Sequence, residues 1–388
     1  MKPNTKLVHL ARGERRVEGT VNLPVHRAST ILSPDLDSYL NRHANNRRYE
    51  GVTYGATGTQ NARALARAIA ELEGGHGCVV TGTGLSAVTM TLSAFVAAGD
   101  HVLVSDSTYG PARRFCDEVL ARFGVQTTYF DPLISTQDLR ALFRPETRLL
   151  YLEAPGSLTF EMQDVPALAA LARERGVLSA MDNTWATPLG FRPLEHGVDL
   201  SVQAGTKYIA GHSDLVIGMI TAADEALFHR LADHVMIFGD TASPDDCFLA
   251  LRGLRTLDVR LREQHASALR VATWLQGHAA VRAVLYPPLP DDPGHALYAR
   301  DFSTGASLFG LVLHSTDIEA VKRLVDGLEL FGIGSSWGGY ESLVALNMAP
   351  LPRAVTPWTT TPFLLRLHIG LEDPDDLIAD LEAGLARL

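Results

Sequence analysis

Short apolar runs rich in β-branched residues alternate with helical patterns through the first two thirds of the chain, and this alternation limits the folds open to it. Residues 59–72 place Ala64, Leu65, Ala68, Ile69 and Leu72 on one helical face, and Gly74-Gly75 ends the pattern. Cys78 to Thr81 reads as a short buried strand, and 85–98 as a helix. Strands are expected at 100–104, 125–130, 149–152, 177–181 and 200–204, with helices at 111–123 and 165–175. Repeated strand–helix units imply an α/β fold with a mostly parallel central sheet covered on both faces. The texture changes near Leu251. A long helical pattern, a Pro/Asp loop at 287–293, strands at 307–313 and 364–369, and helices at 318–328 and 373–388 predict a smaller α+β C-terminal domain. Residues 1–57 show turn and breaker signals and little apolar periodicity, which predicts an arm without its own core. The expected organisation is therefore an arm at 1–57, an α/β domain at 58–250 and an α+β domain at 251–388.

Ligands of such sheets sit beyond the carboxyl ends of the strands. Tyr109, Asp182 and Lys207 fall at or just past three of these ends. Lys207 follows an apolar run and is flanked by small residues. A lysine ending a buried strand is partly desolvated, which lowers its pKa and favours the free amine that attacks carbonyls. Gly82-Thr83-Gly84 lies between a strand and a helix start. Glycine lets the backbone approach a ligand closely, and the helix N-terminus at Gly84 and Leu85 offers unpaired N–H groups to a phosphate. Thr206 adds a hydroxyl. Taken singly, each feature has a plain reading: a surface lysine, a loop-capping aspartate, a turn tyrosine, an ordinary tight turn. Together they match the needs of pyridoxal 5′-phosphate. Lys207 would hold the aldehyde, Asp182 would keep the pyridine nitrogen protonated, and Tyr109 would lie over the ring face.

The stretch from Asp199 to Ser213, with Thr206-Lys207-Tyr208-Ile209 and then Gly211-His212-Ser213, resembles the cofactor-attachment signature of the Cys/Met-metabolism family of pyridoxal-phosphate enzymes. The similarity runs nearly end to end. It includes Glu71-Leu72-Glu73-Gly74-Gly75, Asp182-Asn183-Thr184-Trp185, Gly253-Leu254-Arg255-Thr256, the turn from Ser336 to Ser342 and the run from Arg366 to Asp373. The run from Phe130 to Ile134 and that last group look most like bacterial cystathionine β-lyases. The resemblance implies the type I pyridoxal-phosphate (aspartate aminotransferase-like) fold and a homotetramer built as a dimer of dimers with shared active sites. It implies elimination chemistry on amino acids with a sulfur leaving group. Lys207 would be attachment lysine and Cα base, Tyr109 would stack on the ring and assist proton transfer, and Asp182 would hold the ring nitrogen. Arg366, with Ser336 and Trp337, would bind the substrate. Tyr54 would reach the cofactor from the neighbouring subunit's arm.

Three departures fall on the pocket. The family usually has arginine two positions after the arm tyrosine, where this chain has Ala56; Arg47 or Arg48 could substitute for its phosphate contact. Bacterial β-lyases carry tyrosine where Ser335 stands, and a second pocket tyrosine is replaced near Met236. The leading expectation is α,β-elimination of L-cystathionine or related cysteine S-conjugates to thiol, pyruvate and ammonia. The alternative is a γ-lyase or γ-replacement enzyme acting on methionine-like, homoserine-derived or O-linked γ-substituted substrates.

Composition sets outer limits. Lys+Arg 34 against Asp+Glu 44 leaves a net charge of −10, which argues against a general nucleic-acid or anionic-membrane binder. Three cysteines without short pair spacing suggest reduced thiols in a cytoplasmic protein and give no metal framework. No apolar stretch is long enough to predict a membrane span.

Overall fold

The computed structural model describes residues 1–11, 19–44, 49 and 51–388. Arg47 and Arg48 lie outside the described residues. Two sheets form among them. The larger has seven strands: β1 (Gly77–Thr81), β2 (His101–Ser105), β3 (Gln126–Phe130), β4 (Thr147–Glu153), β5 (Leu178–Asp182), β6 (Leu200–Gln203) and β7 (Gly218–Ala222), in the order β1-β7-β6-β5-β4-β2-β3. Pairings from β3 through β6 are parallel, whereas β7 is antiparallel to both β6 and β1. The sequence pattern anticipated the parallel body of this sheet but not β7, which inserts between β1 and β6. Every residue of β2, β6 and β7 is buried, as expected for strands covered on both faces.

Helices start and stop where local chemistry requires. Gln60–Glu73 buries Ala64, Leu65, Ala68, Ile69 and Leu72 and ends at Gly74, whose φ of 73° is left-handed. Gly84–Ala94 is capped by Thr83, whose side chain accepts from Ser86 N at 2.9 Å. Gly84 is required by packing, because a Cβ there would lie 2.5 Å from the Cβ of Ala204. This close approach brings the helix start against the end of β6. The expected helix 85–98 stops early, and the Ala97 N–H turns to the Asp100 carboxylate at 2.8 Å.

The second sheet contains β8 (Val281–Leu285), β9 (Leu308–Leu313), β10 (Gly332–Ile333), β11 (Leu343–Met348) and β12 (Phe363–His368), ordered β10-β11-β12-β9-β8. The expected boundary at 250/251 falls inside the helix Pro244–Leu254. The 20-residue helix Leu257–Gln276 then leads into this sheet. The arm is not wholly separate from the core. Leu7 and Leu10 are 1% and 3% exposed, and the Leu7 carbonyl accepts from Arg255 at 2.7 Å.

The two domains meet above the carboxyl ends of β2, β4, β5 and β6. Trp185 donates to Leu308 O at 3.0 Å, and Ser307 N donates to the Tyr208 hydroxyl at 2.9 Å. Gly338 has φ +86°, and a Cβ there would lie 2.7 Å from Tyr208 N. Glycine therefore lets the turn after β10 press directly on the lysine segment. Among the described residues, no helix is long and apolar enough to cross a membrane.

Leu65 is fully buried. Leu65→Ala should lower unfolding stability by about 2–5 kcal/mol, read as a lower urea midpoint, while Arg67→Ala on the same helix should leave it nearly unchanged.

Candidate active site

A cavity of about 590 Å³ opens at this seam. Gly84, Leu85, Tyr109, Asp182, Thr206, Lys207, Ser335, Ser336, Trp337 and Arg366 all line it. Nine of the ten expected site residues thus face one space. The tenth, Tyr54, does not line it within its own chain. It is half exposed and pairs through its backbone with Thr30.

Lys207 follows β6 through a tight turn in which its N–H donates to Ala204 O at 3.0 Å. Its Nζ donates to Ser336 Oγ at 2.6 Å and stands 5.1 Å from the centre of the Trp337 ring. Burial first, and the Arg366 guanidinium second, push this amine down to about 8, against the opposing pull of Asp182.

Asp182 closes β5. Its Oδ1 accepts from Thr184 N at 3.0 Å and Thr184 Oγ1 at 2.5 Å. That leaves Oδ2 for a partner in the cavity. Thr184 Oγ1 in turn accepts from Ala204 N at 2.8 Å, so one hydroxyl ties the carboxylate to the end of the lysine's strand. Burial raises the Asp182 carboxyl.

Tyr109 stands past the end of β2. Its N–H donates to Glu153 Oε2 at 2.7 Å. Glu153, the last residue of β4, also accepts from Ser157 Oγ at 2.6 Å. Burial, with Asp182 adding to it, pushes this carboxyl up to about 8. Glu153 was not singled out from the sequence, although the strand-end rule that found Asp182 applies equally to it. Burial, Asp182 and Glu153 together raise the Tyr109 phenol.

Arg366 lies on β12 and donates to the Ser336 carbonyl at 3.0 Å. Ser336 has φ +74°, a left-handed conformation uncommon outside glycine. It is held there from both sides, by Lys207 at its hydroxyl and Arg366 at its carbonyl. Thr206 lines the cavity, but its hydroxyl donates to Ile217 O at 3.2 Å and accepts from Ile217 N at 3.0 Å. Its bonds thus brace the turn before Lys207.

Pyridoxal phosphate fits this donor set. The amine, the buried carboxylate with a free oxygen, and the N-terminus at Gly84-Leu85 occupy one cavity of ordinary ligand size. Gly84 N and Leu85 N have no intrahelical acceptor by position. Two of the departures also gather in one place. Ala56 and Met236 line a second, smaller cavity of about 50 Å³ together with Thr57 and Gly58. Among the described residues, no cluster of three or more His, Cys, Asp or Glu could hold a metal ion.

Comparison with known proteins places these features in context. The family described as Cys/Met metabolism PLP-dependent enzyme matches residues 4–386. Cystathionine beta-lyase MetC of Escherichia coli is 41% identical over 100% of this chain and 99% of its own length. L-alanine/L-glutamate racemase of Wolbachia pipientis is 39% identical over 100% of this chain and 98% of its own. Among solved structures, cystathionine gamma synthase from Xanthomonas oryzae, in complex with aminoacrylate and cysteine, superposes with a TM-score of 0.89. It is 34% identical and covers 100% of this chain and 98% of that one.

In cofactor-free protein, the neutral fraction of Lys207 should rise through a midpoint near pH 8, read by pH-dependent labelling with a small amine-reactive reagent. Arg366→Met removes a neighbouring cation that disfavours the ammonium, so the midpoint should move up.

Proposed function

The chain belongs to the Cys/Met metabolism PLP-dependent enzymes, and from that premise we propose that it is a carbon–sulfur lyase catalysing α,β-elimination of L-cystathionine or related cysteine S-conjugates. The observation that carries this reading is the meeting of Lys207, Asp182, Tyr109 and Arg366 in one cavity. Pyridoxal phosphate, when bound, supplies the electron sink that acidifies the substrate Cα–H.

The chain's own residues account for the remaining work. Arg366 presents a planar guanidinium suited to the two oxygens of the α-carboxylate. Ser336, bonded to both Arg366 and Lys207, keeps that anchor in register with the amine. With a pKa near 8, Lys207 is poised to take a proton from Cα and later return one. Breaking Cα–H and Cβ–S forms the Cα–Cβ double bond, and the sulfur leaves as thiolate. Hydrolysis of the resulting enamine gives pyruvate and ammonia. Asp182, its Oδ1 held by two bonds from Thr184, would face the ring nitrogen with Oδ2 and keep it protonated.

A γ-elimination or γ-replacement activity is the second reading. Ser335 in the cavity wall and the likeness to a cystathionine gamma synthase structure favour keeping it. We further propose a homotetramer made of two close dimers, with Tyr54 completing the partner's site. Its support is the exposure of apolar residues on the arm and nearby, including Leu32, Leu36, Leu40, Ile237 and Phe238. A cytoplasmic location fits the three free, buried cysteines.

Product analysis tests the assignment. Pyruvate from L-cystathionine or a cysteine S-conjugate is expected. 2-Oxobutanoate or a homoserine-type product would install the γ reading, and inversion at Cα without keto acid would point to racemisation. Lys207→Ala should lose the cofactor's visible absorbance and at least about 10³-fold in turnover. Tyr109→Phe should keep the absorbance and lower kcat.

A further inference from the structure

The strand end that carries Tyr109 also carries Asp106, a carboxylate only 1% exposed. Its hydrogen bonds reach into the other domain. Oδ1 accepts from Ala354 N at 2.8 Å. Oδ2 accepts from Val355 N at 2.9 Å, Thr356 N at 2.7 Å and Thr356 Oγ1 at 2.9 Å. Three successive main-chain N–H groups thus converge on one anion. The Arg113 guanidinium pairs with Oδ1 from its own domain. Burial alone would raise the Asp106 carboxyl, but the N–H groups of Ala354, Thr356 and Val355 outweigh it, and the acid is held below its ordinary range.

The segment so held is the loop between β11 and β12. A second clip lies beside the first. Arg353, with its side chain 5% exposed, pairs with Glu161 at 3.1 Å and donates to Thr159 Oγ1. On the β11 side of the Asp106 clip, Leu351, Pro352 and Arg353 itself line the cavity, as do Leu158 and Phe160 from the large domain. Gly84, Tyr109, Asp182 and Lys207 account for the cofactor half of the cavity, and Arg366 with Ser336 for the substrate's α-carboxylate. The loop wall, with Val216, Leu346 and Asn347, is among the surfaces left to receive the substrate's side chain. Its chemistry, apolar at Leu351 and Pro352 beside the already paired Arg353, suits a thioether chain.

We propose that Asp106 is a positioning residue that latches residues 354–356 across the domain seam, thereby fixing the adjoining residues 351–353 as a wall of the leaving-group pocket, and so favours long β-substituents over short ones. The selectivity half rests on the β-elimination reading, whereas the latch itself is independent of it. A structural aspartate with no bearing on selectivity would affect all substrates alike.

The test uses the holoenzyme and Asp106→Asn, which keeps the shape but cannot accept all of these bonds. Hydrogen exchange should quicken roughly tenfold, the factor for about 1.4 kcal/mol, in peptides spanning 351–358, with β5 and β6 unchanged. KM for L-cystathionine should rise by a similar factor. KM for β-chloro-L-alanine, with its single-atom leaving group, should change less than about twofold, and the visible absorbance should persist. Thr356→Val removes one bond from the loop side and should give a smaller change in the same direction. Unchanged exchange at 351–358 in Asp106→Asn would overturn the latch, and an equal rise in both KM values would overturn its role in selectivity. If the unaltered enzyme releases no keto acid from either substrate, the lyase reading fails, while the exchange result still decides the latch.

Discussion

The site depends on one amine kept out of water. Lys207 reaches its place because β6, buried along its whole length, ends just before it. A lysine in that position costs folding stability as an ammonium. Its folded pKa lies below the ordinary value, so the cost is present below about pH 8 and declines as pH rises from there toward 10.5. The residues around it are consistent with a chain that tolerates this cost to gain a reactive amine. Arg366 adds repulsion to the burial, Asp182 pulls the other way, and Ser336 accepts the amine's hydrogen bond.

That arrangement exists only where the domains touch. The large domain contributes the lysine, the carboxylate and the helix N-terminus. The small domain contributes Arg366 and the turn at 336–338. The two are registered by close contacts, among them the approach of Gly338 to Tyr208 N and of Gly339 to Ser213 Oγ, where a Cβ would lie 2.7 Å and 2.1 Å away. Behind the turn, fully buried His368 accepts from Gly338 N at 3.1 Å and bonds Ser307 Oγ at 3.0 Å through its other nitrogen. Burial pushes this imidazole down to about 3, so it remains neutral and able to accept that N–H at physiological pH.

Much of the large domain was legible because it obeys local rules. Apolar β-branched runs mark strands, glycine marks the helix end at Gly74, and the carboxyl-end rule points to Tyr109, Asp182 and Lys207 from sequence position alone. What escaped the sequence depends on distant partners. The strand β7 is defined by pairing with β1 and β6, which lie far from each other in the chain. Leu7 and Leu10 carry no periodic signal, yet they dock into the core. Glu153 is an acid like many others until Tyr109 N and Asp182 approach it. Asp106 and its loop partners are separated by about 250 positions, beyond any pattern read along the chain. The departures at Ala56 and Met236 were visible as residues, but their common lining of a small second cavity was not.

Borohydride reduction of the cofactor-loaded protein, followed by proteolysis and mass spectrometry, addresses the central claim most directly. The account predicts that the reduced pyridoxyl group is found on the peptide containing Lys207 and on that side chain alone. Recovery of the group on another lysine, or a cofactor bound with no covalent trace on Lys207, would contradict it.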